Sequence, residues 1–158
     1  MPAINHPTAY FEYAAKFHAE IAKTGAKTVL YATRARDGYP EQQRRLDDAF
    51  TRLAPQIGAG LVPAGLAWTV VRLKDPPIRL HMPDRSHPTM AGSYLNALLF
   101  YQCLTGRAAV VPPAVITGPQ RWDDPRIVTL VNLPWDQAAA LNQFAQRAVA
   151  QEPLRPLH

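Results

Sequence analysis

"AGLVPAGLAWTVVRLKDPP" occupies residues 59–77. Its first part, AGLVP (59–63), is a short apolar run of the length a buried strand needs. AGLAWTVVRLK (64–74) reads as a helix, and the Asp75-Pro76-Pro77 break stops it. The same alternation extends upstream. KTVLYATR (27–34) is short, apolar and partly β-branched, as a buried strand should be. A helix from Pro7 to Lys23 precedes it, with Tyr10, Ala14, Phe17 and Ile21 at helical spacing and Gly25 as its stop. Between the strands a second helix starts near Pro40, carries Leu46, Phe50, Leu53 and Ile57 inward, and ends at Gly58. Helix, strand, helix, strand, helix is the order of a parallel sheet covered by helices. Two strands alone leave both sheet edges open, so the rest of a larger sheet is expected to be missing or to lie in a partner chain.

Downstream, IRLHM (78–82) is a brief extended piece. Thr89 to Thr105 forms the strongest helix, with Met90, Tyr94, Leu95, Leu98, Leu99 and Leu104 on a wide apolar face and Gly106 closing it. VVPPAVITGP (110–119) reads as an extended proline-rich connector, RIVTLVNL (126–133) as a strand or extended segment, and Pro134 to Gln151 as a final helix with Leu141, Phe144 and Val149 inward. Many prolines, among them Pro7, Pro40, Pro55, Pro76, Pro77, Pro88 and Pro134, fall at expected element boundaries, where a missing N–H costs least.

The chain has 158 residues, 47% hydrophobic and 18% charged, which suits one folded domain with a real core. No stretch approaches the ~20 apolar residues of a membrane span. The opening MPAINHPTAYFEY shows no signal peptide, so the sequence reads as cytoplasmic as written while the compartment stays open. A single cysteine, Cys103, excludes an internal disulfide and a cysteine zinc cluster. The net charge of +5 comes largely from scattered arginines that do not interleave with aromatics, so no nucleic-acid partner is expected.

The chemistry concentrates in "HMPDRSHPTMAGSYL", residues 81–95. Asp84 and His87 are close enough for one local turn to join carboxylate and imidazole. Asp84 accepting from Nδ1 would fix the tautomer and leave Nε2 facing outward as a base. Pro88 restricts His87 to an extended backbone and so aims the side chain. The competing structural reading has Asp84 capping the turn and His87 as a helix-entry residue. A metal reading would take His81, Asp84 and His87 as ligands, although His81 lies in an extended segment and no fourth ligand is near. Nucleophiles are scarce. Ser86 lies between acid and base, where its hydroxyl cannot also meet His87, Ser93 is one turn into the helix, and Cys103 is farther along it. Arg34 and Arg36, just past the first strand, are placed to meet substrate oxygens, or to form a solvated turn with ion pairs to Asp37. Trp68 reads as a core or packing residue of its helix.

"PDRSHPTMAGSYLNALLFYQCLTG" resembles the last block of the SGNH (GDSL-type) hydrolases, where D-x-x-H-P precedes a small-residue helix start. "NHPTAYFEYAAKFHAEI", "AGAKTVLYATRARDGYP" and "GAGLVPAGLAW" are similar to the corresponding parts of a bacterial branch of that superfamily, so the likeness covers roughly residues 5–107. It implies a flavodoxin-like three-layer α/β/α sandwich with a parallel sheet and its N-terminal strands missing. It implies ester hydrolysis without a cofactor, often deacetylation of carbohydrates or lipids, on a small-molecule ester or acylated carbohydrate, with Asp84 as the acid and His87 as the base. Trp68 would stand in the wall near the active site. The family's G-D-S nucleophile and its oxyanion-hole glycine and asparagine have no match here, so the chain alone is expected to be inactive or nearly so. Residues 1–107 would be the C-terminal part of such a domain, and 108–158 a connector and helix packed on it. The alternatives are a non-catalytic α/β remnant that associates through open strand edges, and the metal-dependent hydrolase of His81, Asp84 and His87.

Overall fold

A computed structural model of the chain describes residues 1–110 and 113–151. Two helices open it, α1 (Pro2–Asn5) and α2 (Pro7–Ala22), each begun by a proline whose absent N–H is no loss there. Strand β1 (Val29–Tyr31) follows, then α3 (Gln42–Ile57), β2 (Gly60–Val62) and α4 (Ala64–Lys74). After the motif segment come α5 (Met90–Thr105), strands β3 (Val115–Arg121) and β4 (Asp124–Asn132), and α6 (Trp135–Gln151). This is a mixed α/β protein, with 54% of the described residues in helix and 16% in strand, so helices supply most of the buried residues. No helix among the described residues is long and apolar enough to cross a membrane.

β1 and β2 pair in parallel, with Leu30 opposite Leu61. Side chains alternate across a strand, and the pair uses both faces. Leu30, Ala32 and Leu61 face a core built with Leu46, Ala49 and Phe50 of α3 and Ile4 of α1. Val29, Tyr31 and Val62 face the opposite core, where Trp68 and Val71 of α4, Leu95 and Leu99 of α5 and Leu141 and Ala145 of α6 meet. Helices therefore cover both faces of this small sheet. Gly58 and Gly106 close α3 and α5 in the left-handed conformation that only glycine adopts cheaply.

Several expectations change. The strand foreseen over 27–34 contracts to Val29–Tyr31, because the chain leaves the sheet where Ala32 and Thr33 turn toward α3 and α4. α2 keeps its expected span yet fully buries no residue, and Phe17 is 69% exposed. Met90 and Leu104 likewise lie off the buried face of α5. Pro55 sits inside the last turn of α3 rather than at its boundary. The connector foreseen over 110–119 is corrected most: Val115–Pro119 belongs to β3, which pairs antiparallel with β4, Pro119 standing opposite Ile127. Register shifts interrupt that ladder between Ile116 and Thr117 and between Pro119 and Arg121. Residues 111–112, also within the foreseen connector, and 152–158, at the end of the foreseen C-terminal unit, lie outside the described residues. The final helix packs against α4 and α5.

Candidate active site

The motif segment folds back on itself between α4 and α5. Leu80 O accepts from Thr89 N (2.9 Å), His87 O from Met82 N (2.8 Å) and Met82 O from Arg85 N (2.9 Å). His81 and Pro88 form an isolated antiparallel bridge. The result is a narrow loop with Pro83-Asp84-Arg85-Ser86 at its tip. Arg85 takes a left-handed backbone (φ 60°), a conformation a non-glycine residue adopts at a cost.

At that tip Asp84 does two things at once. Its Oδ1 accepts from the backbone N–H groups of Ser86 and His87, both at 2.9 Å. Its Oδ2 lies 2.5 Å from His87 Nδ1. The capping bonds and the contact to the imidazole, foreseen as alternatives, thus coexist in one carboxylate. The His87 side-chain bond, followed by the two backbone donors, holds the Asp84 carboxyl well below the usual carboxylate range. An ionised carboxylate only accepts, so Nδ1 carries a proton, and in the neutral ring the lone pair is then on Nε2. His87 is open to solvent, its side chain 77% exposed.

Two contacts fix the loop to the end of β1. Arg34 Nη2 donates to Ser86 O (2.7 Å), and Asp37 N donates to Arg85 O (2.9 Å). Arg34 is also stacked over Trp68, 4.9 Å from the ring centroid. Trp68 is a core residue, 1% exposed, whose Nε1 donates to Asn96 Oδ1 (2.8 Å). Its ring meets the His81 ring edge-on at 4.7 Å. Asp37 does not pair with Arg34 or Arg36, as its neighbourhood in sequence suggested; its partner is Arg72, at 3.0 Å.

His81 points elsewhere. Its Nε2 lies 3.1 Å from Ala35 O, so this nitrogen donates to a carbonyl. Burial lowers its pKa, against the raising effect of that bond. Among the described residues no three His, Cys, Asp or Glu side chains converge to hold a metal ion, so His81, Asp84 and His87 are not brought together. The loop unites Asp84 and His87 and, through Arg34, ties them to Trp68.

No serine, threonine or cysteine side chain of the described residues bonds to His87 Nε2. Ser93 stands exposed on the first turn of α5, with its amide bonded to Thr89 O. Burial pushes the Cys103 thiol up to about 11 and makes it a poor nucleophile. Sequence reasoning missed Asn96 and took Arg72 for part of a solvated surface, whereas Gly92 reads from the sequence as a point of close helix packing. Asn96 was signalled by a lone amide within the apolar run of α5, and Arg72 by its position four residues after Trp68. Gly92 lets α5 approach so closely that an added Cβ would stand 2.5 Å from Leu80 O.

In comparisons with family models, curated proteins and solved structures, the chain matches none.

Proposed function

We propose that the Asp84–His87 pair is the acid–base half of a serine ester hydrolase site of the SGNH type, and that β1 and β2 are two strands of a flavodoxin-like sheet. The single observation that carries this reading is the 2.5 Å contact between His87 Nδ1 and Asp84 Oδ2, which turns Nε2 outward at an open surface. In the reaction, Nε2 takes the proton of a serine hydroxyl as that oxygen attacks the ester carbonyl. Asp84 stabilises the imidazolium so formed, and the proton then passes to the departing alcohol. Water enters by the same base in a second step and frees the acid. The hydroxyl comes from outside these 158 residues, because neither serine of the chain is placed to serve. β1, paired on one side only, offers the edge on which a nucleophile-bearing strand would align. Arg34 and Trp68 form the wall beside the pair.

The test supplies the missing part in trans. The purified chain alone should hydrolyse p-nitrophenyl acetate no faster than buffer. A polypeptide carrying the G-D-S serine and preceding strands of an SGNH hydrolase should restore turnover when added. His87→Ala should remove about a thousandfold or more of it, because triad members act as a unit. Turnover by the chain alone that is lost in His87→Ala, or restored turnover indifferent to that substitution, overturns the proposal.

A further inference from the structure

Three guanidinium groups gather beside the turn. A cavity of about 300 Å³ opens between the end of β1, α3 and α4, and its lining includes Arg34, Gln43, Trp68, Arg72 and His81. A second hollow of about 220 Å³ shares Arg72 and His81 and adds Arg79 and Asp37. Against three positive side chains stands one lining carboxylate, Asp37, which Arg72 Nη2 already engages. Asp47 lies behind the wall, where Gln43 Nε2 donates to its Oδ1 (2.8 Å).

These arginines keep donors in reserve. Each guanidinium has five N–H groups in a planar fork. Arg34 commits Nη2 to Ser86 O, while Nη1 makes only 3.4 Å contacts to the Tyr31 and Thr33 hydroxyls. Arg72 commits Nη2 to Asp37. Stacking on Trp68 holds Arg34 in place, so little side-chain freedom is lost when a ligand arrives. The buried indole also thins the surrounding water, which strengthens attraction between a ligand charge and both arginines. A neutral acyl group would gain nothing from such a wall; a carboxylate or phosphate would be gripped by two forks.

We infer that this cleft is an anion subsite, built by Arg34 and Arg72 with Arg79 at its outer side, and that the ester handled at His87 belongs to a molecule bearing a carboxylate or phosphate. The substrate class rests on the hydrolase reading above; the binding itself does not. The volume suits the group, since a water takes about 30 Å³ in the liquid and the cavity has room for several.

Trp68 is the natural reporter. Trp122 and Trp135 are 96% and 68% exposed, so Trp122→Phe with Trp135→Phe leaves Trp68 as the sole indole at little structural cost. Inorganic phosphate and succinate are titrated separately into that protein, with ionic strength held constant by sodium chloride. Saturable change in Trp68 emission is expected for at least one of them, and the one that saturates identifies phosphate or carboxylate as the group recognised. Arg72→Gln should weaken the apparent affinity by about tenfold, since a charge-assisted fork is lost. Asp37→Asn should strengthen it, because the competing carboxylate charge goes while a side-chain oxygen stays beside Arg72. The opposite signs keep the test decisive if Arg72→Gln folds poorly. A response that merely follows chloride, or saturation unaffected by Asp37→Asn, overturns the subsite. Phosphate binding by a chain that fails to support turnover with the added serine segment would overturn the hydrolase reading alone.

Discussion

Gly92→Ala sets two effects of opposite sign against each other in one residue. On an exposed helix position the change would add about 1 kcal/mol of helix propensity. Here the new methyl would stand 2.5 Å from Leu80 O and 2.8 Å from Trp68 Cη2 and Cζ2. Neither neighbour yields easily. Leu80 O is backbone that also accepts from Thr89 N, and Trp68 is fully enclosed and anchored on Asn96. Overpacking of this kind costs about 1–3 kcal/mol, and the backbone contact places it toward the upper end. The net loss is then about 1–2 kcal/mol, which for a chain of this size lowers the melting temperature by roughly 2–8 °C. Differential scanning calorimetry of the variant, alongside Ser93→Ala at the exposed neighbouring position, separates the two effects. Ser93→Ala should match or slightly exceed the parent. A Gly92→Ala protein that melts at or above the parent temperature would refute the close approach of α5 to the motif loop.

Arg85→Gly should raise stability by up to about 1 kcal/mol in urea unfolding, the relief of the left-handed backbone outweighing the extra freedom of the unfolded glycine. Arg85→Val should lower it. Asp84 has a folded-state pKa below its ordinary 3.8, so the stabilisation it gives is complete above that value and lost only as pH falls through the depressed one. The downfield Nδ1–H resonance that the bond to Asp84 produces should therefore remain observable down to pH 3.8 and be absent in Asp84→Ala. Cys103, with its thiol pushed up to about 11, should react with iodoacetamide at pH 8 roughly a hundredfold more slowly than in the denaturant-unfolded chain.

What could be read from the chain was what neighbours in sequence decide. Ala64–Lys74 became α4 with the foreseen limits because Pro63 and the Asp-Pro-Pro run act locally, and Gly58 and Gly106 stop their helices by their own backbone freedom. The Asp84–His87 bond spans three residues, so spacing offered it as one of two local readings, the other being a capping turn. β3 stayed hidden because Gly118 and Pro119 break its pattern, and its partner strand leaves all but Val131 unburied. No period-two signal survives in such a ribbon. Arg34 reaches Ser86 across 52 positions and His81 reaches Ala35 across 46, and those contacts exist only once the chain is packed. They decide that His81 belongs to the cleft wall rather than beside Asp84.

The β3–β4 ribbon is built against edge-to-edge pairing with other strands. Ile127, Val128 and Leu130 are exposed along it, a composition that invites intermolecular β-stacking. Two imino acids, Pro119 in one arm and Pro125 in the other, delete donors along its length, and the two register breaks twist what remains. A passing strand finds an irregular row of partners there, which works against β-addition at an edge that shows apolar side chains to water.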